Sequence, residues 1–135
     1  MKAVVDTNVL VSGLLSESGP PGKLINAIET GLLIPVFSEP VLFEYLDVLL
    51  RPKLQLDRGL VSELMEILYL SGDLVDILEI NTEEFTDIDD VPFYAAALAA
   101  QCPLITGNLK HFPRKGPVKV LSPRNALGVL AGQVE

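Results

Sequence analysis

The chain opens with Met1-Lys2 and then a continuous apolar run, Ala3-Val4-Val5, which stops abruptly at an acid, a hydroxyl and an amide: Asp6, Thr7 and Asn8. Apolar residues resume at Val9 and Leu10. A strand with one wet face alternates apolar and polar residues. A continuous β-branched run leaves neither face for water, and such strands belong to parallel sheets covered on both sides by helices. Asp6 then stands at the carboxyl end of a strand, where open α/β sheets bind ligands. Thr7 and Asn8 are good caps for a following helix. Asp6 is therefore either a helix cap or a ligand-binding carboxylate, and this stretch alone leaves both open.

The remaining chain repeats the pattern. Strands are expected at 2–5, 32–36, 74–78, 103–106 and 118–121. Gly19-Pro20-Pro21-Gly22 is a loop signal. Leu24, Ile25, Ala27 and Ile28 then recur at helical spacing, predicting a helix from Lys23 to Thr30 that Gly31 stops. Ser38-Glu39-Pro40 opens another helix, with Ser38 as cap and Pro40 in the first turn, ending before Pro52. Further helices are expected over 57–71, 92–100 and from Ser122-Pro123 to about Leu130. The segment Asn81 to Asp90 is polar and acidic. The alternation predicts an α/β fold in a single domain, 1–135. A mostly parallel sheet of about five strands would be flanked by helices on both faces, joined by right-handed crossovers.

Composition narrows the partners. With 49% apolar and 21% charged residues, the chain is globular rather than disordered. No apolar run reaches the length of a membrane span, and the start lacks the features of a signal peptide. The single Cys102 excludes an internal disulfide framework and fits a reducing cytoplasm, where a buried structural thiol is expected. A net charge of −8 argues against nucleic-acid binding through overall charge, although a local basic surface remains compatible with it. Carboxylates gathered around a divalent cation would account for part of the surplus.

Three acids stand at informative positions. Asp6 ends the first strand, Glu44 lies among Val41, Leu42, Phe43 and Tyr45, and Asp90 opens the Ala-rich helix. Asn108, in Thr106-Gly107-Asn108, follows the fourth strand. Each has an ordinary alternative: a cap for Asp6, a solvated charge for Glu44, and a cap or compensation of the helix dipole for Asp90.

Four segments carry a resemblance. Val4-Val5-Asp6-Thr7-Asn8-Val9-Leu10, Ser38-Glu39-Pro40-Val41-Leu42-Phe43-Glu44-Tyr45, Asp89-Asp90-Val91-Pro92-Phe93-Tyr94-Ala95-Ala96-Ala97 and Leu104-Ile105-Thr106-Gly107-Asn108-Leu109-Lys110-His111-Phe112 resemble, in order, the successive motifs of PIN-domain nucleases. The likeness spans almost the whole chain and is greatest to small prokaryotic toxin components of toxin–antitoxin pairs of the VapC type. It implies a metal-dependent ribonuclease with Asp6, Glu44 and Asp90 as catalytic metal ligands for Mg²⁺ or Mn²⁺. It also implies RNA as substrate and a cognate antitoxin as partner. The chain departs from the fullest pattern at Asn108, where the family often has a fourth acid. An amide coordinates through its carbonyl oxygen but adds no charge. Asp87 or Asp89 would compensate, or else belongs to a solvated acidic loop.

Other polar residues fit around such a site. Thr7, Asn8, Ser38 and Thr106 would orient water or a ligand carboxylate, or serve as plain caps. Lys110, His111, Arg114, Lys115 and Lys119 form the only dense basic stretch and would grip an RNA backbone as a rim. Arg51 and Lys53 form a second, weaker rim. The helices after Pro40 and Asp57 carry more apolar residues than one buried stripe needs, which predicts deep burial or an interface. That interface would serve a homodimer, a higher homo-oligomer or the antitoxin. A PIN-like RNA- or protein-binding module with weak or no catalysis is the competing reading. A flavodoxin-like signalling domain would place two acids near the first strand, whereas Asp6 stands alone there.

Overall fold

The computed structural model describes residues 1–132. Five strands form one sheet: β1 (Lys2–Val5), β2 (Ile34–Phe37), β3 (Asp73–Leu74), β4 (Leu104–Ile105) and β5 (Val120–Leu121). Their spatial order is β3-β2-β1-β4-β5, and every pairing is parallel. Six α-helices surround them: α1 (Thr7–Leu15), α2 (Pro20–Glu29), α3 (Glu39–Leu49), α4 (Arg58–Ser71), α5 (Val91–Ala100) and α6 (Pro123–Leu130). The expected α/β class, strand number and strand sequence are all present.

The winding follows from that order. From β1 the chain steps outward to β2 and β3, then returns across the sheet to β4 and β5. Right-handed crossovers in opposite directions put their helices on opposite faces. α2 packs with α1, α4 and α6, while α5 lies on β1, β2 and β4 with α3 beside it. β1 is the central strand, and Ala3, Val4 and Val5 are completely buried. The topological switch point falls between β1 and β4, whose carboxyl ends leave a crevice.

Boundaries differ from the sequence reading for local reasons. The predicted 74–78 strand shrinks to Asp73–Leu74, because β2 ends at Phe37 and the Val75 amide takes its last free carbonyl. The second strand starts at Ile34 rather than 32, since Gly31 turns at φ 82° and the Leu33 amide still bonds Ala27 in α2. The fourth and fifth strands are likewise shorter than 103–106 and 118–121. The Gly-Pro-Pro-Gly run is not a loop. Gly19 caps α2, and the two prolines occupy its first turn, where no amide bond is lost. Gly22 is required there because a Cβ would stand 2.3 Å from the Glu17 carbonyl oxygen. The close approach joins α1 to α2 in a tight corner.

α5 is apolar on nearly all sides, with Phe93 through Ala97 buried in succession, as its small side chains permit. Cys102 is half-buried rather than buried, and burial pushes its thiol pKa up. The apolar surplus of α3 and α4 lies partly in the open: Phe43, Leu50, Tyr69 and Leu70 are exposed. No helix among the described residues is long and apolar enough to cross a membrane.

Candidate active site

Asp6 follows β1 directly and is 7% exposed. Its amide continues the ladder by bonding the Ile105 carbonyl of β4 at 2.9 Å. It occupies the cap position of α1, yet its carboxylate makes no cap hydrogen bond. Instead Oδ2 accepts the Thr106 hydroxyl at 2.8 Å and, more weakly, the Asn8 amide at 3.4 Å. Thr106, fully buried, in turn accepts the Asn108 backbone N–H at 3.0 Å. The carboxyl ends of the two central strands are thereby tied through one hydroxyl. Asn8 adds a second link, its Oδ1 accepting the Gly107 amide at 3.4 Å. Burial raises the Asp6 pKa above the usual carboxylate value, against the Thr106 bond and the nearby Thr7 and Asn8 amides, which lower it. Directly below, the Tyr45 hydroxyl donates to the Val5 carbonyl, and burial drives its own pKa far up.

Glu44 and Asp90 come to Asp6 from two helices. On α3, Val41, Tyr45 and Leu49 are buried, which leaves Glu44 half-buried on the helix flank. Its pKa is raised, first by burial and then by repulsion from Asp89, Asp47 and Asp6. Asp90 is delivered by a short 3₁₀ turn, Ile88–Asp90, which Asp87 caps by accepting the Asp89 amide at 2.9 Å. Phe85 pins this acidic segment, packing edge-on against Tyr94 of α5 (ring centroids 5.4 Å apart) and against Phe112. Asp90 stands at the start of α5 without a cap hydrogen bond, so its carboxylate is not consumed by the helix. Its pKa is raised by burial and by Asp6, and His111 opposes the rise. His111 Nδ1 lies 3.2 Å from Asp90 Oδ2, within ion-pair range but without hydrogen-bond geometry.

The three acids share one cavity of about 410 Å³. Thr7, Asn8, Asp87, Asp89, Arg51 and Lys53 also line it, over apolar walls from Val11, Val48, Leu54 and Phe93. Several expected participants lie elsewhere. Asn108 is exposed and does not line the cavity; its backbone, not its amide side chain, is tied to Thr106. Ser38 is buried against a separate cavity with Pro40, Val91 and Pro92, and its hydroxyl makes no cap bond. Lys110, Arg114 and Lys115 are exposed and outside the cavity. Lys119 sits at the opposite, amino edge of the sheet, where its carbonyl accepts from Leu104.

The donor set can be tested against a divalent cation. Every polar group on the cavity wall is a hard oxygen or nitrogen, with no thiol. Two buried oxygens there, Thr7 Oγ1 and Asp90 Oδ2, have no hydrogen-bond partner, the second with only the His111 ring in ion-pair range, so coordination capacity remains. No three acidic, histidine or cysteine side chains among the described residues are gathered tightly enough to hold an ion together. That spacing fits a small cation that keeps most of its waters and takes one or two carboxylates directly.

Sequence reasoning gave little weight to Arg51, Lys53, Asp87 and Asp89. A signal existed for Arg51. Glu44, Val48 and Arg51 fall at i, i+4 and i+7, one side of a helix.

Comparison with known proteins agrees with this fold. The family model described as PIN domain matches residues 2–110. The chain belongs to the PIN-domain family. This is a family of nucleases, which generally act with divalent metals. The uncharacterized protein MJ1680 of Methanocaldococcus jannaschii is 31% identical over 110 residues, covering 80% of this PIN protein and 71% of the relative. A chain in the crystal structure of VapBC2 from Rickettsia felis, bound to a DNA fragment from their promoter, superposes with a TM-score of 0.64. The superposition covers 90% of this PIN domain and 98% of that chain at 18% identity, a likeness of fold.

Proposed function

We propose that this PIN protein is a metal-dependent endoribonuclease, hydrolysing RNA phosphodiester bonds with Mg²⁺ or Mn²⁺. It acts in the cytoplasm as the toxin of a type II toxin–antitoxin pair, silenced by a cognate antitoxin. The observation that carries the reading is the convergence of Asp6, Glu44 and Asp90 on one cavity at the switch point of the sheet. None of the three is spent on the local role that would otherwise explain it. Asp6 and Asp90 make no cap bond, and Glu44 has no ion-pair partner among the described residues.

Asp6, Glu44 and Asp90 would hold the ion in this reading, with the Thr7 hydroxyl beside them. A cation bound there would supply an acidified water and neutralise charge on the phosphate. Thr106 and Asn8 keep the Asp6 carboxylate oriented, and Asp87 holds the turn that presents Asp90. Burial raises the pKa values of all three acids, and repulsion from neighbouring carboxylates adds to the rise at Glu44 and Asp90, a cost that a positive ion reverses. The exposed apolar residues of α3 and α4 supply surface for a homodimer, a higher homo-oligomer or the antitoxin.

RNA cleavage by purified protein in Mg²⁺ or Mn²⁺, beside Asp6→Asn and Asp90→Asn, tests the reading. Metal-dependent cleavage lost in both variants supports it. Folded wild type that cleaves no RNA at saturating metal removes it and leaves a PIN-like binding module. The position of Asn108 outside the cavity favours that second reading. An adjacent gene for a small DNA-binding protein would support the toxin assignment.

A further inference from the structure

Building on the ribonuclease reading, we infer that Arg51 and Lys53 seat the RNA backbone at the cavity, holding phosphates beside the one to be cut. The cavity wall carries the carboxylates of Asp6, Glu44, Asp87, Asp89 and Asp90 against only two cations, Arg51 and Lys53. A polyanion entering that field is repelled. A bound divalent ion relieves the repulsion at one point, and fixed cations are needed where the strand enters and leaves.

The turn that bears these cations is well built. After α3 ends, Arg51 precedes a single 3₁₀ turn, Pro52–Leu54, in which the Leu54 amide bonds the Arg51 carbonyl and the Gln55 amide bonds Pro52, both at 3.1 Å. Pro52 restricts the backbone at the start, and Gln55 closes the turn in the left-handed region at φ 50°. Leu54, half-buried on the cavity wall, anchors it. Arg51 lies seven residues beyond Glu44, just past the end of α3, and lines the same cavity as the acids. Only its Nη2 is engaged, with Asp47 at 2.9 Å, in a pair exposed on both sides. Such a pair is weak, and the remaining guanidinium donors are open to a phosphate. Lys53 has no ion-pair partner among the described residues. In the basic stretch at 110–119, Lys110, Arg114, Lys115 and Lys119 offer no side chain on the cavity wall, and His111 stands behind Asp90, 3.2 Å from its Oδ2. The position of that stretch in sequence, next to the Thr106-Gly107-Asn108 turn, made it the more prominent rim.

Binding separates this inference from the reading beneath it. Fluorescence anisotropy would follow a fluorescein-labelled, single-stranded RNA of mixed sequence in Ca²⁺, with cleavage in Mg²⁺ and Mn²⁺ measured alongside. Arg51→Ala/Lys53→Ala should weaken binding about tenfold and flatten the dependence of log K on log salt by about 1.4, two contacts at about 0.7 each. Lys119→Ala, on the opposite edge, should bind like wild type. Matching melting curves would show that the double variant folds. Wild type that binds and cleaves, beside a double variant that binds equally well, overturns the inference and leaves the nuclease. Wild type that binds through Arg51 and Lys53 but never cleaves sinks the nuclease and keeps the contact. Wild type that neither binds nor cleaves removes both.

Discussion

Two acidic hollows mark this protein, and they differ in what holds their acids. The first is the cavity of Asp6, Glu44 and Asp90. The second, about 240 Å³, lies between α1, α2 and α4 and carries Glu17, Glu29 and Glu63 over Ile25, Leu60, Leu64 and Ile67. Both combine apolar walls with carboxylates. In the second, the glutamates stand exposed, Glu29 and Glu63 on helix surfaces and Glu17 in the turn between α1 and α2, free to turn into water. In the first, Asp6 is buried at a strand end and fixed by Thr106, while burial raises the pKa values of all three acids and neighbouring carboxylates raise those of Glu44 and Asp90 further. Carboxylate number does not distinguish them. Attachment to the rigid carboxyl edge of the sheet does, because it prevents the acids from escaping one another.

The contrast predicts where substitutions matter. Asp6→Asn should lower metal-dependent RNA cleavage by more than about a hundredfold, above the usual 10–100-fold cost of losing an outer-shell partner. Glu63→Gln should leave the rate within about twofold in the same assay. Equal losses would erase the distinction between the hollows. Thr106→Val should cut cleavage by about 10–100-fold. It should also cost about 1–3 kcal/mol of stability in chemical denaturation, since it removes a donor to a buried carboxylate and the acceptor for the Asn108 amide. A variant with wild-type activity would show that Asp6 needs no such support.

Gly22→Ala tests the corner beside the second hollow. The new methyl would meet the Glu17 carbonyl, so a loss of about 1–3 kcal/mol is expected, read as a lower Tm with cleavage at room temperature retained. The smallest effect concerns pH. The folded Asp6 pKa is raised, so its stabilising contribution is present below the ordinary aspartate value and is lost as pH rises through the folded value. In metal-free buffer, the stability of wild type relative to Asp6→Asn should therefore fall from acid toward neutral pH. Mg²⁺ should recover part of the loss. A relative stability that rises with pH would reverse the assigned cause.

Much of the architecture was legible. Ala3-Val4-Val5 announced a strand buried on both faces, and hydrophobic periodicity gave the order of the elements and the α/β class. Strand ends were less so, because a strand lasts only as long as its neighbour. Residues 76–78 have strand-like composition, yet β2 has already turned into α3 and offers nothing to pair with. The Gly-Pro-Pro-Gly run misled for another reason: prolines and a close-packing glycine suit a first helical turn as well as a loop.

At the site, sequence singled out Asp6, Glu44 and Asp90, and the motifs resembling PIN nucleases supplied their grouping. Residue types alone left each acid with an ordinary role, and only tertiary structure excluded the caps. It also moved attention from Asn108, whose side chain lies off the cavity, to Arg51 and Lys53 on its wall. Sequence by itself determined the strands, the helices and the acids that end or flank them, because those follow from local periodicity and chain breaks. Which acids meet, which oxygens are left without partners and which cations face them depended on the sheet order 3-2-1-4-5. That order brings the ends of β1 and β4 side by side across about a hundred residues of sequence, a distance no local pattern encodes.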